Sequence, residues 1–467
     1  MGVPGMTVFA AADSNEAQRR QATQSIRTYF VQESGRWMVH GAVLDAATHK
    51  TVRAIEAQAS GPEALGAALV TAVWSGGPKL AWRPDAVQAY GRALRSAPSE
   101  MPDLLKAAVA ADPNIEDAWR RLAHIDLAAG RRQEALAILR RAPKTPALTL
   151  LAATVSGDNE SRLAALREVT RANPGDWEPW AQLAALSTQS RRYADGAEAF
   201  GKAIALAPMS TALRNEGAYA FQLAGRHGEA VEQAREYAKI AATSANPIDT
   251  LGEILAMAGK FADSEKAFLD AQSKDAAFLG GAAVLKAALV RRTSGDQAGA
   301  DALFEKYAKA NDKLVRAQWD YTSGRQRKAE DALASQAGAA ARAQLAIWKR
   351  DPTILSADTT KPEVALARAI LTGETTNPLL KGCHFLLAGK FADAVTPMEQ
   401  AWRAIRPDQA SHIPVLLAWA YLETGRVEEA RGLLAMWPVP RSGGGLDSFI
   451  EFLAFPRVLE LRKRAGL

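Results

Sequence analysis

Residues 177–208 read WEPWAQLAALSTQSRRYADGAEAFGKAIALAP, and two further stretches, TALRNEGAYAFQLAGRHGEAVEQAREYAKI from Thr211 and ANPIDTLGEILAMAGKFADSEKAFLDA from Ala245, return to the same grammar. The first places Trp180, Leu183 and Ala184 ahead of a turn and Tyr193, Ala197, Phe200, Ala203 and Pro208 behind it. The second offers Ala218, Phe221, Gly225, His227 and Ala230. The third gives Ile248, Gly252, Leu255, Gly259, Phe261, Ser264, Phe268 and Ala271. Apolar residues recur at three- and four-residue spacing on both sides of a Gly-Arg or Gly-Lys step, so each stretch predicts two amphipathic helices joined by a tight turn. The glycine ends the first helix, where a left-handed cap costs it nothing. Small residues at Ala184, Ala218 and Ala230 let the paired backbones approach closely.

A period of about 34 residues means a solenoid, and a solenoid offers an extended surface for binding rather than a pocket built for chemistry. The pattern resembles the tetratricopeptide repeat family, whose signature couples Trp, Leu, Gly and Tyr on the first helix to Ala, Phe, Ala and a closing Pro on the second, with Gly196 standing where an alanine is usual. Upstream, Thr149 to Pro174 carries Gly157 and Ala165 in step, and Trp119, Leu122, Ala123, Gly130, Ala135 and Leu139 form a unit followed by a shortened connection through Pro143 and Pro146. Downstream, Leu285, Gly295, Ala300, Phe304 and Tyr307 continue after a change of phase, and Trp319, Gly324, Ala329 and Leu333 suggest another hairpin. Two units close the array: Leu379, Cys383, Gly389, Phe391, Ala394, Met398 and Ala401, then Leu417, Ala418, Tyr421, Gly425, Val427, Ala430 and Leu434. Between them, residues 337–376 predict helices over Ala340–Lys349 and Glu363–Leu371 that do not fit the signature.

The front of the chain has another rhythm. Ile26–Gln32, Trp37–Leu44 and Thr51–Ala57 alternate in strand fashion, with a turn at Glu33-Ser34-Gly35-Arg36, and a helix is expected from Pro62 to about Trp74, closed by Gly76-Gly77. Gly41 and Asp45-Ala46-Ala47-Thr48 resemble the end of the TolB-amino-terminal-like or FlgO-like domain of bacterial signalling proteins, although His49 replaces that family's turn glycine. No catalytic residue carries over from that resemblance. The expected organisation is an extension (1–25), a small α+β domain or fragment (26–80), a helical repeat array (81–440, irregular at 337–376) and a capping segment (441–467). The fold class is therefore mainly α, an α–α superhelix of tetratricopeptide type behind a small α+β element.

Composition narrows the function. Of 467 residues, 57 are basic and 51 acidic, giving a net charge of +6 that is spread as short clusters and contains no long basic run. Nucleic acid is thus not the expected partner. The single cysteine, Cys383, falls at a packing position in a helix, so no intramolecular disulfide forms. The six histidines are scattered without metal-ligand spacing, no Gly-rich run has the context of a phosphate loop, and neither a cofactor nor an enzymatic site is expected. The amino terminus lacks a basic n-region and a full h-region, and no stretch of about 20 apolar residues predicts a membrane span. Cytoplasmic localisation is the expectation, and periplasmic if the natural precursor is longer.

The expected function is a noncatalytic interaction scaffold that holds a protein or peptide on its concave face. The alternative is a regulatory module split from a bacterial signalling enzyme such as a kinase or cyclase, and a homo-oligomer is a further option through the apolar segment around Phe449, Phe452 and Phe455. The repeat frame turns Arg120, His124, Glu178, Asn215, Tyr219, Gln222, Asp249, Glu253 and Trp419 inward, along with Ala181, Ala185, Leu379, Cys383 and Leu422. Tyr219 and Trp419 also fit positions that pack the helix pair. Asp249 and Glu253 place negative charge where the family's carboxylate clamp needs positive, which disfavours a receptor for C-terminal tails.

Overall fold

The computed structural model describes residues 24–45, 48, 50–61, 65, 68, 69, 72, 83–308, 313–358, 360–405, 412–436, 454 and 457–467. It divides into two compact units, Met1–Ser190 with Gly201–Pro208, and Arg191–Phe200 with Met209–Leu467.

The first unit opens with an antiparallel sheet of order β1 (Gln24–Glu33), β2 (Arg36–Asp45) and β3 (Thr51–Ala59). Glu33 pairs with Arg36 across a two-residue loop in which Ser34 and Gly35 have φ of 51° and 78°. Two left-handed residues in succession give the turn whose twist matches that of the strands it joins. The next connection is held by Asp45, whose carboxylate accepts from the backbone and hydroxyl of Thr48 at 2.7 and 2.8 Å. Leu65, Ala68, Leu69 and Ala72 are helical and pack on Val39, Val43 and Ile55. The expected helix boundaries at Pro62 and Gly76-Gly77 lie outside the described residues.

Helix pairs follow: α1 (Pro84–Ala93) with α2 (Met101–Ala111), α3 (Glu116–Ala128) with α4 (Arg132–Arg141), and α5 (Pro146–Ser156) with α6 (Asn159–Ala172), then α7 (Trp177–Gln189). Leu105, Trp119, Leu122, Leu139 and Leu148 form their shared core. The tryptophans of the signature do more than fill space: Trp119 Nε1 donates to Pro113 O at 2.8 Å, and Trp180 Nε1 repeats the bond to Pro174 O at 3.0 Å. In both, the indole ties a first helix to the carbonyl of the proline that precedes it.

After α8 (Tyr193–Leu206), the second unit carries α9 (Thr211–Leu223) with α10 (His227–Ile240), α11 (Ala245–Met257) with α12 (Phe261–Lys274), α13 (Ala282–Thr293) with α14 (Gln297–Tyr307), and α15 (Lys313–Thr322) with α16 (Gln326–Ala334). Then come α17 (Ala339–Lys349) with α18 (Pro362–Thr372), α19 (Pro378–Leu387) with α20 (Phe391–Ala404), α21 (Ile413–Glu423) with α22 (Val427–Met436), and α23 (Val458–Arg464). Leu285, Phe304 and Trp319 centre one core cluster, the last two rings stacked at 4.4 Å.

The turns share one device. At Gly225 the glycine has φ of 75°, and the next amide, of Arg226, reaches back to Phe221 O at 2.9 Å. The same pair of features recurs at Gly259 with the Lys260 amide on Leu255 O and at Gly425 with the Arg426 amide on Tyr421 O. This six-to-one bond over a left-handed residue satisfies carbonyls that the end of the helix leaves open. Close helix approach is equally literal: a Cβ added at Gly252 would sit 2.7 Å from the Phe268 ring, and one at Gly382 would sit 2.6 Å from Met398.

The stretch that the signature did not fit is a hairpin nonetheless. Arg350, not glycine, takes the left-handed position with φ of 55°, and the Asp351 amide makes the usual bond back to Ala346 O at 2.9 Å. A single 3-10 turn at Pro352–Ile354 then lengthens the link to α18. Register was lost because the glycine is missing and the link is long, while the packing of the pair is retained.

Candidate functional site

In the first unit, Arg120 projects from α3 with its side chain 52% exposed and pairs with Asp117. Asp117 also accepts from Arg121 Nε at 2.6 Å and from the Tyr90 hydroxyl. Burial acts to raise the Asp117 carboxyl, but the hydrogen bonds from Tyr90, Arg121 and Arg120 together hold it below the usual carboxylate range. His124 lies one helical turn after Arg120 on the same face and is exposed. Glu178, in the first turn of α7, is half-buried, and its amide is capped by Asp176 at 3.1 Å.

In the second unit the predicted residues meet each other. Tyr219 on α9 donates its hydroxyl to Glu253 Oε2 on α11 at 2.5 Å. Lys286 on α13 donates to Glu253 Oε1 and to Asp249 Oδ2, both at 2.7 Å. Thr250 donates to Asn215 Oδ1 at 3.3 Å, and Gln222 Nε2 donates to Met257 O at 3.0 Å. A row of polar groups thus stitches three successive first helices together. It is sealed as well as linked, since Tyr219, Gln222, Asp249, Glu253 and Lys286 are all buried. Burial pulls the Lys286 ammonium down while Glu253 and Asp249 push it up, and the balance leaves it above its ordinary value. Charged groups removed from water need this kind of mutual satisfaction to be tolerated.

Trp419, on α21, is likewise buried. Its indole donates to Glu423 Oε1 at 3.2 Å, and the Arg457 guanidinium lies 4.1 Å from its ring centre. Arg464 reaches the same Glu423 at 2.7 Å, so α23 covers this end of α21. The structure therefore joins Tyr219, Asp249 and Glu253 in one network through Lys286, sets Asn215 and Gln222 in separate bonds between the same helices α9 and α11, and places Arg120, His124 and Glu178 on the other unit.

Sequence reasoning missed Lys286 and the buried pair of Gln318 and Gln344, whose amides bond at 3.0 Å between α15 and α17. The signal for Lys286 was a charged residue beside the packing position Leu285, hidden by the phase change that the turn Phe278–Gly281 introduces. A cavity of about 620 Å³ beside α15 and α16 is lined by Lys313, Arg316, Arg325 and Lys328 together with Asp301, Glu305 and Asp320. Its charges mostly answer each other, as in Arg316 with Glu305 at 2.8 Å and Arg325 with Asp320 at 2.7 Å. Among the described residues no cluster of three or more His, Cys, Asp or Glu side chains is placed to hold a metal, and no helix is long and apolar enough to cross a membrane.

Residues 385–440, spanning the end of α19 through α22, match the tetratricopeptide repeat family model. That segment carries a tetratricopeptide repeat. Solved structures similar to it include MamA, 18% identical with a TM-score of 0.30 over 33% of this chain and 90% of that one. A tetratricopeptide repeat protein from Parabacteroides merdae ATCC 43184 is 17% identical with a TM-score of 0.31, over 48% of this chain and 95% of that one. The Naa15/Naa10 assembly bound to HypK-THB gives 16% identity and a TM-score of 0.34 over 77% of this chain and 69% of that one. No curated protein sequence matches the chain. Tetratricopeptide repeats are in general protein-interaction scaffolds, because stacked hairpins present one helix of every pair on a continuous surface.

Proposed function

We propose that this chain is a noncatalytic scaffold that holds a peptide or protein partner on the first-helix face of its tetratricopeptide repeats. The observation that carries the reading is the exposure of Arg120 and His124 one turn apart on α3, with Glu178 half-open on the first helix two hairpins later. A cation and an imidazole on one first helix and a carboxylate on another can satisfy peptide groups and charged side chains without any reacting centre. In the second unit, Asn215, Tyr219, Gln222, Asp249, Glu253 and Trp419 stand on the first helices. There they contact a partner only when the helices that now bury them move apart.

The test is capture of partners from the native host by the full chain and by two variants. Replacing Arg120, His124 and Glu178 by alanine removes two exposed groups and one half-buried one, and loss of the specific partner by a folded variant is expected. Replacing Asn215, Tyr219 and Gln222 by alanine reports on the second unit. The reading fails if a folded Arg120/His124/Glu178 variant retains every specific partner of the wild type.

A further inference from the structure

Between paired helices, glycine holds the left-handed position at Gly130, Gly157, Gly225, Gly259, Gly295, Gly324, Gly389 and Gly425. Arg191 holds it between α7 and α8 with φ of 61°. A side chain in that conformation crowds its own backbone, so an arginine persists there only if something compensates.

The compensation is a contact far along the chain. The Arg191 guanidinium lies 4.4 Å from the centre of the Trp402 ring, at the end of α20, and its Nη2 donates to the Trp402 carbonyl. Trp402 is buried, and Tyr193, two residues after Arg191, is half-buried. Burial lowers Arg191 and raises the Tyr193 phenol, as expected of groups drawn out of water. Within the second unit, then, the segment that begins it touches a helix near its other end.

The first helices between these two points are not left open. Every residue from Ala282 to Val290 of α13 is buried, as are Tyr219, Asp249, Glu253 and Lys286, and beyond Trp402 so is every residue from Ile413 to Leu422 of α21. An open channel would leave one stripe of each such helix in water.

We propose that Arg191 and Trp402 form a clasp that keeps the first-helix face of the second unit shut, and that its release is the step admitting a peptide to Tyr219, Asp249 and Glu253. The admission step rests on the scaffold reading above; the clasp itself does not. A guanidinium stacked on a desolvated indole and bonded to its carbonyl is strong enough to hold a surface and weak enough to exchange.

The lone cysteine supplies the readout. Cys383 on α19 is fully buried and stands six residues before the cap glycine Gly389, the same place that Tyr219, Glu253 and Trp419 occupy before Gly225, Gly259 and Gly425. Its reaction with an aromatic disulfide reagent in native buffer therefore measures opening of that face. Arg191→Gly installs the residue that the other turns use, so the turn itself forms without strain. The expected result is labelling of Cys383 about tenfold faster in Arg191→Gly and in Trp402→Leu, with the double variant no faster than either, and with an unchanged or higher urea midpoint for Arg191→Gly. Labelling at the wild-type rate in Arg191→Gly overturns the proposal. So does faster labelling that merely tracks a lower urea midpoint, because opening would then be global unfolding. Partner capture by the variants of the previous section is a separate reading, so a failed clasp and a failed scaffold are told apart.

Discussion

Lys286 holds two buried carboxylates at once. Its ammonium answers Asp249 and Glu253 at 2.7 Å each, inside a region where all three are buried. Lys286→Met leaves two carboxylates facing each other out of water, and a loss of about 3–5 kcal/mol in urea denaturation is expected. Adding Asp249→Asn and Glu253→Gln to that variant should restore most of it, since a neutral hydrogen-bonded row carries no such penalty. His412, just ahead of α21, gives a pH signature. Burial lowers its imidazole to about 4, below the ordinary 6.5, so the folded protein takes up its proton later than the unfolded chain does. That contribution is fully present above pH 6.5 and is lost as the pH falls toward 4, by roughly 3 kcal/mol in total. The measurement is the urea midpoint between pH 7 and 5, which should fall in the wild type and stay flatter in His412→Asn. Asp249 and Glu253 were legible in the sequence as first-helix positions because they keep the spacing to the cap glycine that Asn215 and Tyr219 keep. Their burial was not, because it depends on a lysine that belongs to the next repeat and lies out of phase with them.

At the level of elements, the hairpin is the unit that the sequence specifies best. Apolar periodicity, a small residue at the crossing and a glycine at the turn agree at α9 with α10, at α11 with α12 and at α21 with α22, and local agreement of this kind is what makes an element readable. Gly252 shows how tight the crossing is: Gly252→Leu must push into the Phe268 ring 2.7 Å from the added carbon, at an expected cost of about 1–3 kcal/mol in a urea melt. Gly225→Ala tests the turn instead. With φ of 75° the new methyl is strained, and a loss of about 1 kcal/mol follows. Arg350 is where this legibility ends. An arginine in a glycine position carries no turn signal; the hairpin that turns at Arg191 was legible from the apolar spacing on either side, but the contact of Arg191 with Trp402 was not, because no local pattern encodes it. The same reasoning explains why α17 and α18 were visible as helices while their pairing was not.

For the whole molecule, a stack of hairpins derives stability from each hairpin and from its contacts with its neighbours, so the ends matter more than in a globule. At the carboxyl end, α23 buries Val458 and Leu461, and Arg431 and Arg462 bond to the carbonyls of Ala465 and Leu434 across the junction. The two units differ in what they offer a partner. The first presents Arg120 and His124 to water, and the second folds its corresponding row into a buried network. The most direct measurement of that difference is hydroxyl-radical footprinting of the full chain, free and with the captured partner. The account predicts that His124 reacts readily and Tyr219 and Trp419 hardly at all in the free chain, and that His124 becomes protected on partner binding while the exposed Tyr29 of β1 does not. Tyr219 and Trp419 reacting as fast as Tyr29 in the free chain, or His124 unaffected by the partner, would contradict it.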